Sequence, residues 1–511
     1  MWVLLSAVAL AQFTDLSNVG AADGVYYLRE HNIYGDSTDV TVALEALLKD
    51  KHHVQFVCDT DKVYYLTYIK DSILIPPNCS FDLNGSRFRF EIGGQSQAFV
   101  LGGDSAQIFG GTIDVDSTTA ITGSGQYGAA VTVGSYATGV GYSGWAIHDL
   151  TISSERRDAD GIAVLGDCHD GVIQMIHVPA SETIGRAIMT HWGGRNFIDT
   201  AARAKVTTHP HNIMISHVTV DSLGYEASAG IATAAAFDIA ISDCSFKFCQ
   251  RAVSIQPGDY GFLFTNTKVY PGGLDDIFSR RITVERVISR LCPVGFVVSG
   301  QIDPAKLSAS YDSLGHLRIP PVMFRGCTTV GDGLDNGFKV SYTSGVTISK
   351  CTVKNHINGV YVGPDASDVT IENSDIYSND QNGVMISATS AKLQPPRNIT
   401  IRDNRIWNNY GSGGIYVQFA HDVYIAKNVL GDSVSEKHQN YGIYIDNADP
   451  SLRVFLTENY FRNASLHCGV RANDLANIGA WANNRTDTDS LLVSGGRKKD
   501  PKMIPKDSTR P

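Results

Sequence analysis

The sequence predicts an all-β solenoid, a parallel β-helix of about thirteen coils, and three observations carry that prediction. First, a hexad written apolar, polar, polar, small or Asn, polar, apolar recurs thirteen times. It is clearest in IENSDI (371–376), IRDNRI (401–406), IAKNVL (425–430), ISKCTV (348–353) and ISDCSF (241–246). Second, short segments of period-two alternation follow the hexads, as in GIAV (161–164), GVYV (359–362), GVMI (383–386) and GIYV (414–417); these read as strands with one buried face. Third, the hexads start 23 to 43 residues apart, around a base period near 24. A unit that short cannot bury its own apolar side, so its strands must pair with copies of themselves in neighbouring coils. At about 4.8 Å per coil, the rod is roughly 60 Å long.

The elements follow in chain order. Residues 1–70 read as an N-terminal segment and cap, 71–480 as the β-helix, and 481–511 as a basic, Pro-containing tail without apolar periodicity. Where hexad spacing widens to 42, 43 and 40 residues, the excess reads as loops at about 190–212, 256–281 and 299–320 thrown from the rod. Asn404, Asn428 and Asn459 share the fourth hexad position, which suits an inward amide ladder at a bend.

This repeat resembles that of the right-handed β-helix proteins of the pectin-lyase-like superfamily, and among them the tailspike depolymerases of bacteriophages. The entry segment adds to the likeness. GDSTDVTVALEALL (35–48) looks like their lead into a capping helix and ILIPPNCSFDLNG (73–85) like their first coil, although Ser37 and Val40 replace the usual Gly and Asp. The resemblance spans about residues 35–480. It implies right-handed winding, a short N-terminal capping helix and a side-by-side homotrimer. It leaves the reaction open, because this scaffold hosts lyases, hydrolases, epimerases and adhesins.

Composition narrows the partners. A net charge of −10 argues against nucleic acid and anionic membrane, and no apolar run reaches spanning length. Nine cysteines without CxxC spacing indicate buried thiols and assembly in a reducing compartment, not a disulfide framework or a zinc site. The opening MWVLLSAVALAQF ends in a small-residue pattern that a signal peptidase could cut, but it has no basic flank before Arg29. No nucleotide or dinucleotide fingerprint is present, so no cofactor is expected.

The chemistry concentrates between residues 157 and 226. Four positions before the alternating strand stand Arg157, Glu182, Glu226 and Lys247; strict stacking places Glu182 and Glu226 on neighbouring rungs about 5 Å apart. Paired carboxyls at that separation suit retaining glycoside hydrolysis, with Asp158 and Asp160 in reserve for a wider, inverting pair. His191, His209, His211, Tyr225, Arg186 and Arg157 are expected to contact substrate, and Trp192 to offer a stacking surface. The same His and Tyr residues support the rival chemistry, β-elimination or C5 epimerisation of a uronic acid. Metal binding by His191, His209 and His211 is disfavoured by Pro210. Tyr361, Met385, Tyr416 and Tyr444 form an outward stripe, either a polysaccharide track or, preferred here, a subunit interface.

The expectation is therefore a polysaccharide depolymerase of glycoside hydrolase type, acting on a bacterial surface or exopolysaccharide, on a virion tail or outside the cell. The alternatives are a lyase or epimerase, and a carbohydrate-binding tail protein or adhesin that cuts nothing.

Overall fold

A computed structural model describes residues 24–36, 39–69, 72–92, 97–116, 129–134, 141–154, 159–182, 184–191, 209–224, 228–256, 279–299, 321–388, 394–432, 439–446, 453–462, 468–473, 478–486 and 493–495. Within these, a coil consists of three strands, as in Phe237–Ser242, Ser245–Lys247 and Arg251–Gln256, or of two where the first strand runs unbroken through the corner, as in His169–Val178 and Ile184–His191. Every pairing is parallel and runs between coils: Ile239 lies beside Ile282, and Val253 beside Phe296. The third strands stack into a sheet of fifteen, from Ile73–Ile75 to Val493–Gly495, and the first and second strands into a sheet of twenty-seven. The rod therefore carries two more rungs than there are hexads.

The hexad encodes a corner. Its third residue is left-handed throughout: Met175, His217, Asp243, Arg286, Lys350, Asn373, Asp403, Lys427 and Glu458 all have φ between 52° and 56°, and Gly85, Gly110 and Gly326 serve elsewhere. Such a residue turns the chain at the corner, between separate first and second strands in most coils and within one long strand in His169–Val178 and His211–Val220. The fourth residue then points into the rod. Cys244, Cys327, Cys351 and Ser374 fill that buried column, and Asn404, Asn428, Asn459 and Asn484 continue it. Asn404, Asn428 and Asn459 each donate Nδ2–H to the next Oδ1 at 3.0 Å, and Asn484 donates to the Leu456 carbonyl at 2.9 Å. This is the expected ladder, extended by one member, and it satisfies polar groups that burial would otherwise leave costly. A parallel ladder runs Asn382 to Asn358 to Asn336 at the entry to the third strands, at 3.0 Å per bond. The eight described cysteines are buried free thiols, used as corner fillers.

At the N-terminal end, the helix Thr41–Leu48 begins where Asp39 Oδ1 accepts the Thr41 N–H at 2.9 Å. It buries Leu44, Leu47 and Leu48 against strands Val63–Ile69 and Ile73–Ile75, covering the open end of the solenoid. The long connections from His191 to His211, Gln256 to Arg280 and Ser299 to Val322 leave one corner, from the end of a third strand to the first strand of the next coil. The amino-terminal run 1–23 and the tail 496–511 lie outside the described residues.

Candidate functional site

Winding divides the residues that the sequence reading gathered. Glu182 precedes the strand Ile184–His191, and His191 ends it. Seven extended steps separate Ile184 from His191, about 23 Å, so the carboxylate corner and the histidine corner are different places on the rod. One polymer-cleaving centre cannot include both.

At the carboxylate corner, register departs from strict stacking. Ser181 bridges Leu223, and Gly224 stands over Glu182, with its missing Cβ 3.3 Å from Glu182 Cα. Lys247 belongs to the second strand Ser245–Lys247 and pairs with Arg290. Among the described residues, then, Gly224 is the neighbour of Glu182, and Lys247 stands within a second strand and not at the turn before the third. Glu182 is exposed; Glu226, Tyr225, Arg157 and Asp158 lie outside the described residues.

Asp160 has a different role from the reserve catalyst expected. Its side chain is fully buried, and Arg186 Nε donates to its Oδ1 at 2.6 Å on the neighbouring rung. A sealed carboxylate tied to a guanidinium is a structural pair that no glycan oxygen can reach. Register also places Arg186 and Arg251 one residue before the position of the strand-opening Gly. They align with Asp160 and Ala229, and it is Ala187 and Ala252 whose carbonyls pack against Gly161 and Gly230.

At the other corner, His211 belongs to a ring column. It stacks 4.7 Å from His169 and 4.7 Å from Phe237, and Arg280 closes the column 4.8 Å beyond Phe237. His209 is buried edge-on to Phe237 at 6.3 Å, and its carbonyl is hydrogen-bonded to His211 Nδ1 at 2.8 Å. Burial first, then the charge on Arg186 and proximity to His209, push the His191 imidazole down to about 4. These histidines organise the corner. Trp192 lies outside the described residues. Among the described residues, no three His, Cys, Asp or Glu side chains are grouped to hold a metal ion.

The groove that the structure does form lies farther along, at the corner between second and third strands. It encloses about 430 Å³ and is lined by Gly331, Asp332, Gly333, Asn355, Ser378, Asp380 and Tyr410, contributed by four consecutive coils. Asp332 and Asp380 are exposed and come from coils two rungs apart, so their backbones are separated by about 10 Å. Gly333 has φ 82°, and the position its Cβ would take is 2.6 Å from Asp380 Oδ2, so the carboxylate leans across the glycine toward the Asp332 rung. Immediately before the groove, the outward residues of the second strands are Lys354, Tyr377 and Trp407. Tyr377 and Trp407 stack at 4.5 Å and 14°, Lys354 Nζ lies 5.6 Å from the tyrosine ring, Arg405 sits 4.8 Å from the indole, and Trp407 Nε1–H donates to Asp375 at 2.8 Å. Sequence reading missed this wall. Its signal was present in the residue that follows each hexad, which faces outward at the same level in successive coils.

The fold is shared with known proteins. A family model described as "Right handed beta helix region" matches residues 336–495. The N-terminal fragment of gene product 12 of bacteriophage Phi29 is 14% identical, with 94% of this chain and 73% of that one covered at a TM-score of 0.57. A tailspike protein mutant of E. coli bacteriophage HK620, solved with a pentasaccharide, is 11% identical over 94% of this chain and 81% of its own, with a TM-score of 0.48. The A-module of the Azotobacter vinelandii mannuronan C-5 epimerase AlgE6 is 12% identical over 93% and 100%, with a TM-score of 0.44. No curated protein sequence matches the chain. The hexad corners, the fifteen-stranded third sheet, the family-model match and the likeness to the Phi29 fragment together establish the fold as a right-handed parallel β-helix.

Proposed function

We propose that the protein is a carbohydrate-active rod that binds a bacterial surface or exopolysaccharide, on a virion tail or outside the cell, and hydrolyses its glycosidic bonds. The observation that carries this reading is the groove lined by both Asp332 and Asp380, with the Asp380 carboxylate leaning over Gly333, beside the Tyr377–Trp407 stack. Inverting glycosidases hold an acid and a base about 6.5–9.5 Å apart to leave room for water, and two rungs bring this pair into that range once the side chains converge. One carboxyl protonates the leaving oxygen while the other activates water on the opposite face of the sugar. Asn355, Ser378 and Tyr410 supply hydroxyl and amide partners for ring hydroxyls. The β-elimination alternative is weaker at His191, whose pKa near 4 makes it a poor base at neutral pH.

The test is incubation with a panel of bacterial capsular and exopolysaccharides, followed by end-group analysis and NMR of the new anomeric centre. The expected outcome is saturated fragments with inverted configuration, and a loss of about a hundredfold or more in rate for Asp332→Asn and for Asp380→Asn. Fragments ending in an unsaturated uronate, or full activity in both variants with loss only in Glu182→Gln or Glu226→Gln, would remove the pair from the chemistry.

A further inference from the structure

The outer face of the third-strand sheet presents a second feature, separate from the groove. One outward position carries Tyr361, Met385, Tyr416, Tyr444 and Arg471 in five consecutive coils, each half-buried. The apolar members of this column suit either a protein contact or a sugar face. Its polar end distinguishes the two.

There, Arg471 is held over two rings, its guanidinium 4.9 Å from Tyr444 and 5.3 Å from Tyr441, and its Nη1–H donates to Tyr441 Oη at 2.7 Å. Among the described residues, that is its one hydrogen bond to a side chain, and no carboxylate lies within ion-pair distance of it. Arg471 is therefore a guanidinium fork positioned by two rings and one hydrogen bond, with further N–H donors beyond the one that Tyr441 accepts. Asp446 stands at the neighbouring rung. Tyr416 Oη–H donates to its Oδ2 at 2.6 Å and Asn473 Nδ2–H to its Oδ1 at 2.6 Å, so both oxygens are anchored while each keeps a second lone pair. The Tyr416 and Tyr444 rings meet edge to face at 5.4 Å and 72°, which fixes the platform between the two charged groups.

We propose that this column is a second glycan-binding track, which grips the polymer without cleaving it. Covering Arg471 and Asp446 with an apolar protein face would desolvate two charged groups that keep further donors and acceptors, at a cost that close packing does not return. A chain of hydroxyl-bearing rings meets them differently: its hydroxyls accept from the guanidinium and donate to the carboxylate, and its C–H faces lie on Tyr361, Met385, Tyr416 and Tyr444. The rungs repeat every 4.7–4.9 Å or so, a spacing comparable to the rise of an extended pyranose chain, so successive sugars meet successive rungs in step. The track rests on the reading of the protein as a glycan-active rod, but not on the groove's chemistry.

Affinity electrophoresis of the full chain in gels containing alginate, polygalacturonate or dextran tests it, alongside cleavage assays on the polysaccharide panel. Wild-type protein is expected to be retarded in at least one gel. The double variant Tyr444→Ala/Arg471→Ala is expected to lose that retardation, with an apparent Kd at least tenfold weaker. Tyr444→Phe, which keeps the ring, retains binding and controls for folding. Asp380→Asn is expected to bind like wild type while failing to cleave. Retardation unchanged in the double variant, or absent from all three gels, would overturn the track. If Asp380→Asn cleaves normally while the double variant fails to bind, the hydrolytic reading fails and the track stands.

Discussion

Gly333 shows what one residue decides. At φ 82° it takes a conformation that costs an L-residue about 1–2 kcal/mol. Its missing Cβ is also the space into which Asp380 Oδ2 leans, 2.6 Å away. Gly333→Ala is therefore expected to displace the carboxylate and lower kcat at least tenfold on a cleaved polymer, while the polymer's apparent affinity stays within about twofold. A variant with wild-type kcat would show that Asp380 needs no such room. Asp160 gives the opposite lesson. In the sequence it is one acidic residue among several, and only pairing across the rung shows it sealed against Arg186. Nothing local in the sequence separates a buried ion pair from a catalytic carboxylate, because burial is set by residues 26 positions away.

At the scale of elements, the corner ladder is where local pattern and packing agree. Asn428 Oδ1 accepts both the backbone N–H and the Nδ2–H of Asn404, and its own Nδ2–H reaches Asn459 Oδ1 and the Ile401 carbonyl. Asn428→Ala strands the Asn404 backbone N–H and takes a partner from its Nδ2–H, while Asn459 Oδ1 keeps the backbone N–H of residue 428, which is expected to cost about 2–4 kcal/mol. Chemical denaturation would register this as a lower midpoint with little change in slope; a shift under half a kcal/mol would mean that water replaces the amide. The ladder was legible because the fourth hexad position is fixed relative to its own bend. The Glu182–Glu226 pairing was not legible in the same way, since it depends on turns of unequal length. Ser181 to Leu223 is an offset of 42 and Arg186 to Ala229 an offset of 43, where the expected pair needs 44. The strand Ile184–His191 also has a length that no hexad count reveals, and it separates the carboxylates from the histidines.

At the scale of the whole molecule, a rod stabilised by rung-to-rung burial is expected to weaken in mild acid. His356 is wholly buried, its Nε2 2.8 Å from Thr329 Oγ1, and burial pushes its pKa down to about 4 from an ordinary 6.5. The unfolded chain takes up this proton first. Stability from His356 is therefore fully present above pH 6.5 and is lost as pH falls toward 4, up to about 3 kcal/mol, with His191 acting in the same direction. Urea midpoints at pH 7 and 4.5 should fall in the wild type and fall less in His356→Gln; equal slopes would place the acid sensitivity elsewhere. The chain's own order of residues determined the solenoid, the bend in each coil and the inward amides, because repeat and alternation are properties of short segments. Only the wound structure decided which side chains share a groove, that Asp332 and Asp380 line the same one while Glu182 and His191 stand at different corners, and that an aromatic column ends in Arg471 held over two tyrosine rings. Those meetings depend on how many residues each corner consumes, and a difference of one residue moves a side chain to another rung position.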